Sequence, residues 1–504
     1  MANRFIKPGS SSGKKQGNSK HKGKVHNKVS LPKELVRLMV TNLSHDGRGI
    51  AEAQGKKGFI RGALPGEVVD VRITHQQARY WEGVVSEVIE PSPHRVAPFC
   101  QHFERCGGCD LQYLDYQEQV TAKQQAVLDR LQRLAGETVS IERVEPALSA
   151  ADQGYRLRAR VSIGKWKKHL PGAVGFRSVG SQDVVDIDSC PVMTPALNDL
   201  YQHIRVVLPQ LQQGRFITHL WLVEGCSGES GIGQNQAIAV LRYTGSKVLP
   251  QTDIETLKSA IEPLTPGTEI YLQSGKSSQL QSLVGDEADP RLTYELLVEG
   301  QVGDRSLAVH FNPLDFIQSN RAVNQSMVTQ ALAWLELQGN ENLLDLFCGV
   351  GNFTLPLSLQ CHSVIGVEGS NEMAERAKGN AKANHIANAQ FRAADLSGDF
   401  VLSLLKTEEI DAILLDPPRS GAEAVAKAIL NQYKASSEKK GLEKKAQAHR
   451  LPGRILYVSC DAATFARDAG ILQQAGYRLA KLGVMDMFPH TAHIETMGLF
   501  LRGH

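Results

Sequence analysis

Three short segments carry side chains that could do covalent chemistry. Cys460 sits in Ser459-Cys460-Asp461, directly after an apolar run. Asp416 opens Asp416-Pro417-Pro418-Arg419-Ser420-Gly421 after another, and Glu495 closes His490-Thr491-Ala492-His493-Ile494-Glu495 near the C-terminus. A thiol, a carboxylate and a second acid suit one demanding reaction, methyl transfer to carbon 5 of a uracil. That carbon is too weak a nucleophile to attack a sulfonium methyl unaided. A thiolate adding at carbon 6 turns the ring into an enolate that is nucleophilic at carbon 5, and a base must then remove the carbon 5 proton so that the sulfur can leave. Cys460 would be the nucleophile, Glu495 the base and Asp416 the polar anchor of the pyrimidine edge. The thiol must ionise readily, so its surroundings should favour thiolate. Taken singly, each residue has a plainer reading: a buried small hydrophobe, a surface acid, a rigid turn. The acid-Pro-Pro run also suits enzymes that methylate the exocyclic amine of a flipped base, which need no thiol and would leave Cys460 and Glu495 idle.

These residues need a methyl donor. Asp345-Leu346-Phe347-Cys348-Gly349-Val350-Gly351-Asn352-Phe353 joins a predicted strand to a helix, with glycines where backbone must approach a nucleotide. Glu368 ends the next strand and suits two ribose hydroxyls. Asp395 ends a third and suits an adenine amino group. The three-glycine spacing of a dinucleotide site is missing, so the pattern favours S-adenosylmethionine over NAD. Cys348 and Cys361 read as buried apolar fillers.

The other cysteines form a different pattern. Cys100, Cys106 and Cys109 crowd together, and Cys190 stands apart before Pro191. Four thiolates suit zinc or an iron–sulfur cluster. Only one short CxxC knuckle is present, which favours [4Fe–4S] over zinc or free thiols. A radical methylase would leave one iron open, commonly with CxxxCxxC, whereas a fourth cysteine here closes the set.

The elements that must position these groups fall into zones. Residues 1–30 carry eight Lys or Arg and no Asp or Glu, which predicts a disordered basic tail able to neutralise phosphates or merely keep the chain soluble. Residues 31–92 read as short strands divided by turns, a small OB-like β-barrel. Lys56, Lys57, Arg61, Arg72, Arg79, Tyr80 and Trp81 could give it charge and stacking surface. Residues 93–310 read as a mixed α+β domain, with a helix over 116–135 and a largely antiparallel sheet beyond 155. From 311 to 504 helices alternate with apolar strands, predicting a Rossmann-like domain with a mainly parallel sheet. A helix is expected over 321–337, and residues 434–450 look like a polar surface insertion. The expected whole is a multidomain α/β protein. A net charge of +3 and 42% hydrophobic residues are ordinary for a soluble chain. The absence of a long apolar run or an h-region predicts a cytosolic protein with no membrane contact.

Together the motifs resemble the bacterial 23S ribosomal RNA (uracil-5-)-methyltransferases. Gly62-Ala63-Leu64-Pro65-Gly66-Glu67 and Pro91-Ser92-Pro93-His94-Arg95-Val96 resemble a TRAM RNA-binding domain. The resemblance implies that Cys100, Cys106, Cys109 and Cys190 ligate a [4Fe–4S] cluster. It implies that Gln318, in Phe316-Ile317-Gln318-Ser319-Asn320, joins Phe347, Asn352, Glu368, Asp395 and Asp416 around S-adenosylmethionine and the uracil. Tyr457-Val458-Ser459-Cys460-Asp461 is similar to the nucleophile motif, and Asp486-Met487-Phe488-Pro489-His490-Thr491 through Glu495 to the base motif. The family more often has Asp-Pro-Ala-Arg-Ala-Gly at 416–421 and Asn-Pro after the nucleophile, and lacks the length at 434–450. Possession of both TRAM and cluster modules implies 23S RNA as partner, at uracil 1939. Another 23S uracil or a transfer RNA is the alternative site, and a non-catalytic RNA-binding or chaperone protein is the alternative class. No obligate protein partner is implied.

Overall fold

The computed structural model describes residues 35–134, 144–166, 171–226, 235–246, 248–264, 267–275, 279–284, 290–299, 303–438 and 451–503. The basic tail expected at 1–30 lies outside the described residues.

Three sheets divide the described chain. The first holds β1 (Val36–Met39), β2 (Asn42–Leu43), β3 (Gly49–Ala53), β4 (Lys56–Arg61), β5 (Val68–Gln76) and β6 (Tyr80–Glu90), in the order β1-β5-β6-β4-β3-β2. Its outermost strands, β1 and β2, are separated by only two residues, so the sheet curls round on itself. β6 alternates faces, and this corrects one expectation: Trp81 is no stacking surface. It is fully buried, its indole N–H donates to the Lys56 carbonyl at 3.2 Å, and only a glycine at position 58 leaves room for its ring. Tyr80, on the opposite face, remains exposed against Phe59.

Helix α1 (Tyr116–Leu134) follows, then the central sheet: β7 (Arg158–Ile163), β8 (Val174–Arg177), β9 (Val184–Asp186), α2 (Pro195–Val207), β10 (Ile217–Cys226), β11 (Asn235–Tyr243), α3 (Gln251–Ile261), β12 (Glu269–Ser274), β13 (Gln281–Val284), β14 (Leu292–Val298) and β15 (Arg305–Phe311). All pairs in it are antiparallel except β11 with β12. Inward residues Ala159, Val161, Leu220 and Leu222 pack under Leu197, Leu200, Tyr201 and Ile204 of α2.

The third sheet is the α/β layer the sequence predicts. Its elements are α4 (Arg321–Leu335), β16 (Asn342–Leu346), α5 (Thr354–Ser358), β17 (Ser363–Glu368), α6 (Asn371–Ala383), β18 (Ala389–Ala393), α7 (Gly398–Thr407), β19 (Ala412–Leu415), α8 (Glu423–Glu438), β20 (Arg454–Ser459), α9 (Ala462–Gln474), β21 (Tyr477–Met485) and β22 (Glu495–Arg502). The order is β18-β17-β16-β19-β20-β22-β21, with the first five strands parallel and β22 antiparallel to both neighbours. Near-continuous apolar strands bury both faces of this sheet, as parallel sheets require. Helix α4 stops at Leu335, two residues short of expectation, where Glu336 turns left-handed at φ +48°. The polar stretch expected as an insertion begins as the last turn of α8, and residues 439–450 lie outside the described residues. No described helix is long and apolar enough to cross a membrane.

Candidate active site

Open parallel sheets bind ligands where the strand order reverses, because neighbouring loops there diverge. Here β16 passes to β17 on one side and to β19 on the other, and a cavity of about 850 Å³ opens at their carboxyl ends. Gln318, Phe347, Asn352, Glu368, Asp395, Asp416, Cys460 and Glu495 all line it. The sequence-derived set is therefore brought together without exception. Asp395 does so from two residues beyond β18 rather than from its last position.

The turn after β16 is tightly wound. The N–H groups of Phe347 and Cys348 both donate to the Val367 carbonyl, at 2.9 and 3.1 Å. Phe347 adopts φ +66°, a left-handed conformation that a side-chain-bearing residue holds only when its surroundings enforce it. Gly349 N–H donates to Glu368 Oε2 at 3.1 Å and Ser370 N–H to Oε1 at 3.0 Å. Glu368 is thus fixed with lone pairs left for a diol. Asn352 is more occupied than its motif suggests. Its carbonyl accepts from Tyr294 Oη and Asn324 Nδ2, both at 2.9 Å, and its amide donates back to Asn324 at 3.0 Å. Beneath the turn Asp345 is buried and accepts from the Thr354 hydroxyl at 2.5 Å, and burial pushes its carboxyl up to about 7. Cys348 and Cys361 are buried as expected, although Cys348 also reaches the cavity wall.

The reactive pair is assembled by the antiparallel strand. Ser459 of β20 faces Thr496 of β22, so the next residues in register are Cys460 and Glu495. A strand running the other way begins where β20 ends, which puts the base beside the thiol. Burial pushes the Cys460 thiol up to about 11, with Glu495 and then Asp416 adding to it and Arg419 opposing. The surroundings thus favour the neutral thiol at rest, contrary to the expected thiolate bias. Burial raises Asp416 to about 7 and lifts Glu495 well above the ordinary carboxylate range, Asp416 adding to the latter. Two carboxyls and one thiol therefore share a pocket whose partial burial favours their protonated forms.

Arg419 is the residue the sequence reading passed over. It lies inside the quoted Asp-Pro-Pro-Arg run, and its signal was that only a cation could balance so many acids. It also lines a second cavity, of about 520 Å³, together with His45, Arg130, His493 and Cys460. The two cavities therefore meet at the sulfur. Tyr294 and Phe316 were also missed, because they reach the first cavity from outside the α/β sheet.

The loop carrying the base is held from a distance. Asp110 and Leu111 N–H donate to the His490 carbonyl at 2.8 and 3.0 Å. Gln119 Oε1 accepts from His490 N–H at 3.0 Å, and buried Lys123 donates to Asp486 at 2.7 Å and to the Phe488 carbonyl at 3.1 Å. His490 sits at φ +64° in this grip.

Immediately before Asp110 stands the cysteine segment. Gly107 N–H donates to the Arg177 carbonyl at 2.9 Å, and Asn198 of α2 holds Cys190 by both its backbone N–H and its carbonyl. All four thiols are free and half-buried. Burial pushes Cys106, Cys109 and Cys190 up, Cys109 to about 12, and the other thiols of the set contribute to each shift. Backbone N–H groups of Gly108, Val192 and Met193 favour the anionic sulfurs of Cys106 and Cys190. Four thiols that sense one another, with N–H donors beside them, are a donor set of the chemical kind that takes a metal–sulfur group. Among the described residues no group of three or more His, Cys, Asp or Glu is placed to hold a metal, so the expected cluster site is not seen assembled.

Comparison with known proteins places the chain in a family. Residues 115–504 match the tRNA (Uracil-5-)-methyltransferase family model, and residues 31–85 match the TRAM domain. A 23S rRNA (uracil(1939)-C(5))-methyltransferase, RlmD, of Vibrio cholerae is 39% identical over 92% of this chain and 95% of its own length. The namesake protein of Hahella chejuensis is 37% identical over 93% and 98%. The crystal structure of Pyrococcus abyssi tRNA (uracil-54, C5)-methyltransferase in complex with S-adenosyl-L-homocysteine superposes with a TM-score of 0.64, at 24% identity, over 92% of this chain and 100% of that one, a likeness of fold.

Proposed function

The chain belongs to the tRNA (uracil-5-)-methyltransferase family, and from that premise we propose that it methylates carbon 5 of a uracil in 23S ribosomal RNA, at the position its relatives name, 1939. One observation carries the mechanistic part of this reading: Cys460 follows and Glu495 precedes the Ser459–Thr496 pair that ends the β20–β22 ladder, and both line the strand-end cavity. In this reading residues 31–92 and 93–310 present RNA and residues 311–504 perform the transfer.

S-adenosylmethionine would supply an electrophilic methyl and a positive sulfonium, whose charge favours the anionic forms of nearby acids. Glu368 takes the ribose hydroxyls, Asp395 the adenine amine, and Gln318 and Phe347 close the cavity. Asp416 and Arg419 hold the polar edge of the uracil. The Cys460 thiol gives its proton to a carboxylate of the pocket as the sulfur bonds to carbon 6, and the ring electrons pass to O4 as an enolate. Carbon 5 of the enolate would take the methyl as the sulfur–methyl bond breaks, its electron pair staying on sulfur and leaving a neutral thioether. Glu495, whose resting proton would pass to solvent when the sulfonium cation enters the cavity, takes the proton from carbon 5. The electrons of that C–H bond restore the carbon 5–carbon 6 double bond and expel the Cys460 sulfur. Cys100, Cys106, Cys109 and Cys190 would hold a [4Fe–4S] cluster, supplying a cross-link between the 100–109 segment and the turn that leads into α2.

The test pairs two assays on purified protein. Labelled S-adenosylmethionine with an unmodified 23S transcript should give one 5-methyluridine, mapped at 1939. Glu495→Gln should accumulate an RNA–protein adduct that survives denaturant. Label on a base nitrogen, or a Gln variant that forms no adduct, would overturn the reading.

A further inference from the structure

One face of the central sheet is covered by α2, but part of the other carries an unusual row of side chains. Strand residues of one face alternate, so Arg158 and Arg160 of β7, His219 and Trp221 of β10 and Arg242 of β11 project together. Their register puts Trp221 opposite Arg160, and His219 opposite Arg242. The Trp221 ring is flanked by the guanidinium groups of Arg158 at 5.2 Å and Arg160 at 5.0 Å. Arg160 also donates to His219 Nε2 at 3.2 Å. His219 feels Arg160, Arg177 and Arg242 together, and burial with these three cations pushes its imidazole below the ordinary range.

Arginines on a sheet ordinarily meet carboxylates, as Arg37 meets Asp70 at 2.8 Å on the first sheet. Among the described residues no ion pair involves Arg160, Arg177 or Arg242. Packing cations together without counterions is unfavourable in the free protein, and a planar guanidinium clamped on an indole is pre-organised for a phosphate. Arg158 has a different duty. Its guanidinium donates to the carbonyls of Asp315 and Leu314, so the row begins beside Phe316 and Gln318 at the mouth of the catalytic cavity. From Arg158 to Ser162 it runs about 13 Å along the strand.

We propose that this face is a track for the RNA backbone leading out of the catalytic cavity, with Arg160, Arg177 and Arg242 taking phosphates beyond the target uracil. The track rests on the proposed RNA reading. It commits to a polyanionic strand because the row offers charge and planar donors but no apolar groove.

The experiment uses the full chain and an unmodified transcript of the 23S segment around the target. Binding is measured from 50 to 300 mM salt for the wild type, for Arg160→Gln with Arg242→Gln, and for Arg160→Lys. Each lost phosphate contact should reduce the slope of log affinity against log salt by about 0.7, so the double variant should lose about 1.4. Its affinity at 150 mM salt should fall roughly tenfold, and KM should rise while kcat stays within about twofold. S-adenosylmethionine binding should not change. Arg160→Lys should keep the wild-type slope with weaker affinity, because it keeps the charge and loses the planar fork. Equal slopes and equal KM for the wild type and the double variant would overturn the track. Wild-type protein that binds the transcript without methylating it would overturn the enzymatic reading alone.

Discussion

The donor cavity and the grip on the 486–494 loop sit a few residues apart and are built by different means. In the cavity, Phe347, Glu368, Asp416 and Cys460 each stand at the end of a strand of one sheet, so each is positioned by the few apolar residues before it. The loop instead depends on Asp110, Gln119, Lys123, Asp152 and Tyr155, which lie more than three hundred residues away in sequence. A strand-end site tolerates change elsewhere, because sheet register fixes it. A loop held by remote polar groups is only as ordered as those partners. Glu495 belongs to both regions: β22 sets its register, while the gripped loop sets where that strand begins. The cysteine segment runs directly into Asp110, so a cluster there would stiffen the base-bearing loop without touching substrate.

The largest expected effect tests the cavity. Cys460→Ala should reduce methyl transfer to below about one thousandth of wild type, with S-adenosylmethionine affinity nearly unchanged in calorimetry. Near-normal turnover would break the idea that the sulfur where the two cavities meet is the reacting atom.

The second effect tests the grip. Lys123 and Asp486 are both buried and paired at 2.7 Å. Lys123→Met should strand a buried carboxylate and cost about 3–5 kcal/mol of stability in denaturant unfolding. Adding Asp486→Leu should restore most of it, because the desolvation cost goes with the charge. If the double variant is stable but turns over slowly, the pair positions the loop. If it turns over normally, the pair is only a fastening.

The smallest effect sharpens the electrostatic contrast. An unfolded Asp titrates near 3.9, whereas burial holds Asp416 up to about 7. The folded state therefore binds this proton more tightly, so its stabilising contribution is present at low pH and is lost as pH rises from about 4 through about 7. Asp416→Asn removes that loss. The variant should melt a few degrees above wild type at pH 8, on the order of 1 kcal/mol or more, with little of this advantage left near pH 4. Equal melting temperatures at pH 8 would show that Asp416 stays charged at no cost.

Much of this was legible from residue order because strands and strand-end turns are local. Apolar runs of four to six residues, each followed by an acid, a glycine or a cysteine, mark a parallel sheet and its crevice. The Gly349-Val350-Gly351 turn, Glu368 and Asp416 needed nothing more. Alternation misled only where one residue's face was set by its neighbour, as when Gly58 admitted the Trp81 ring to the core. The residue types of Cys460 and Glu495 likewise pointed to the proposed reaction before any coordinates did.

Tertiary structure alone decided the rest. That Glu495 lies beside Cys460 follows from β22 inserting antiparallel between β20 and β21, a pairing thirty-odd residues of intervening chain cannot announce. That the thiol rests neutral follows from burial, which depends on what every other segment covers. The approach of Cys190 to the 100–109 segment and the row of arginines around Trp221 arise in the same way. Sequence fixes which groups are available and which strand carries them. Solvent exclusion and the distances between charges belong to the packed whole, because both depend on every chain segment that displaces water.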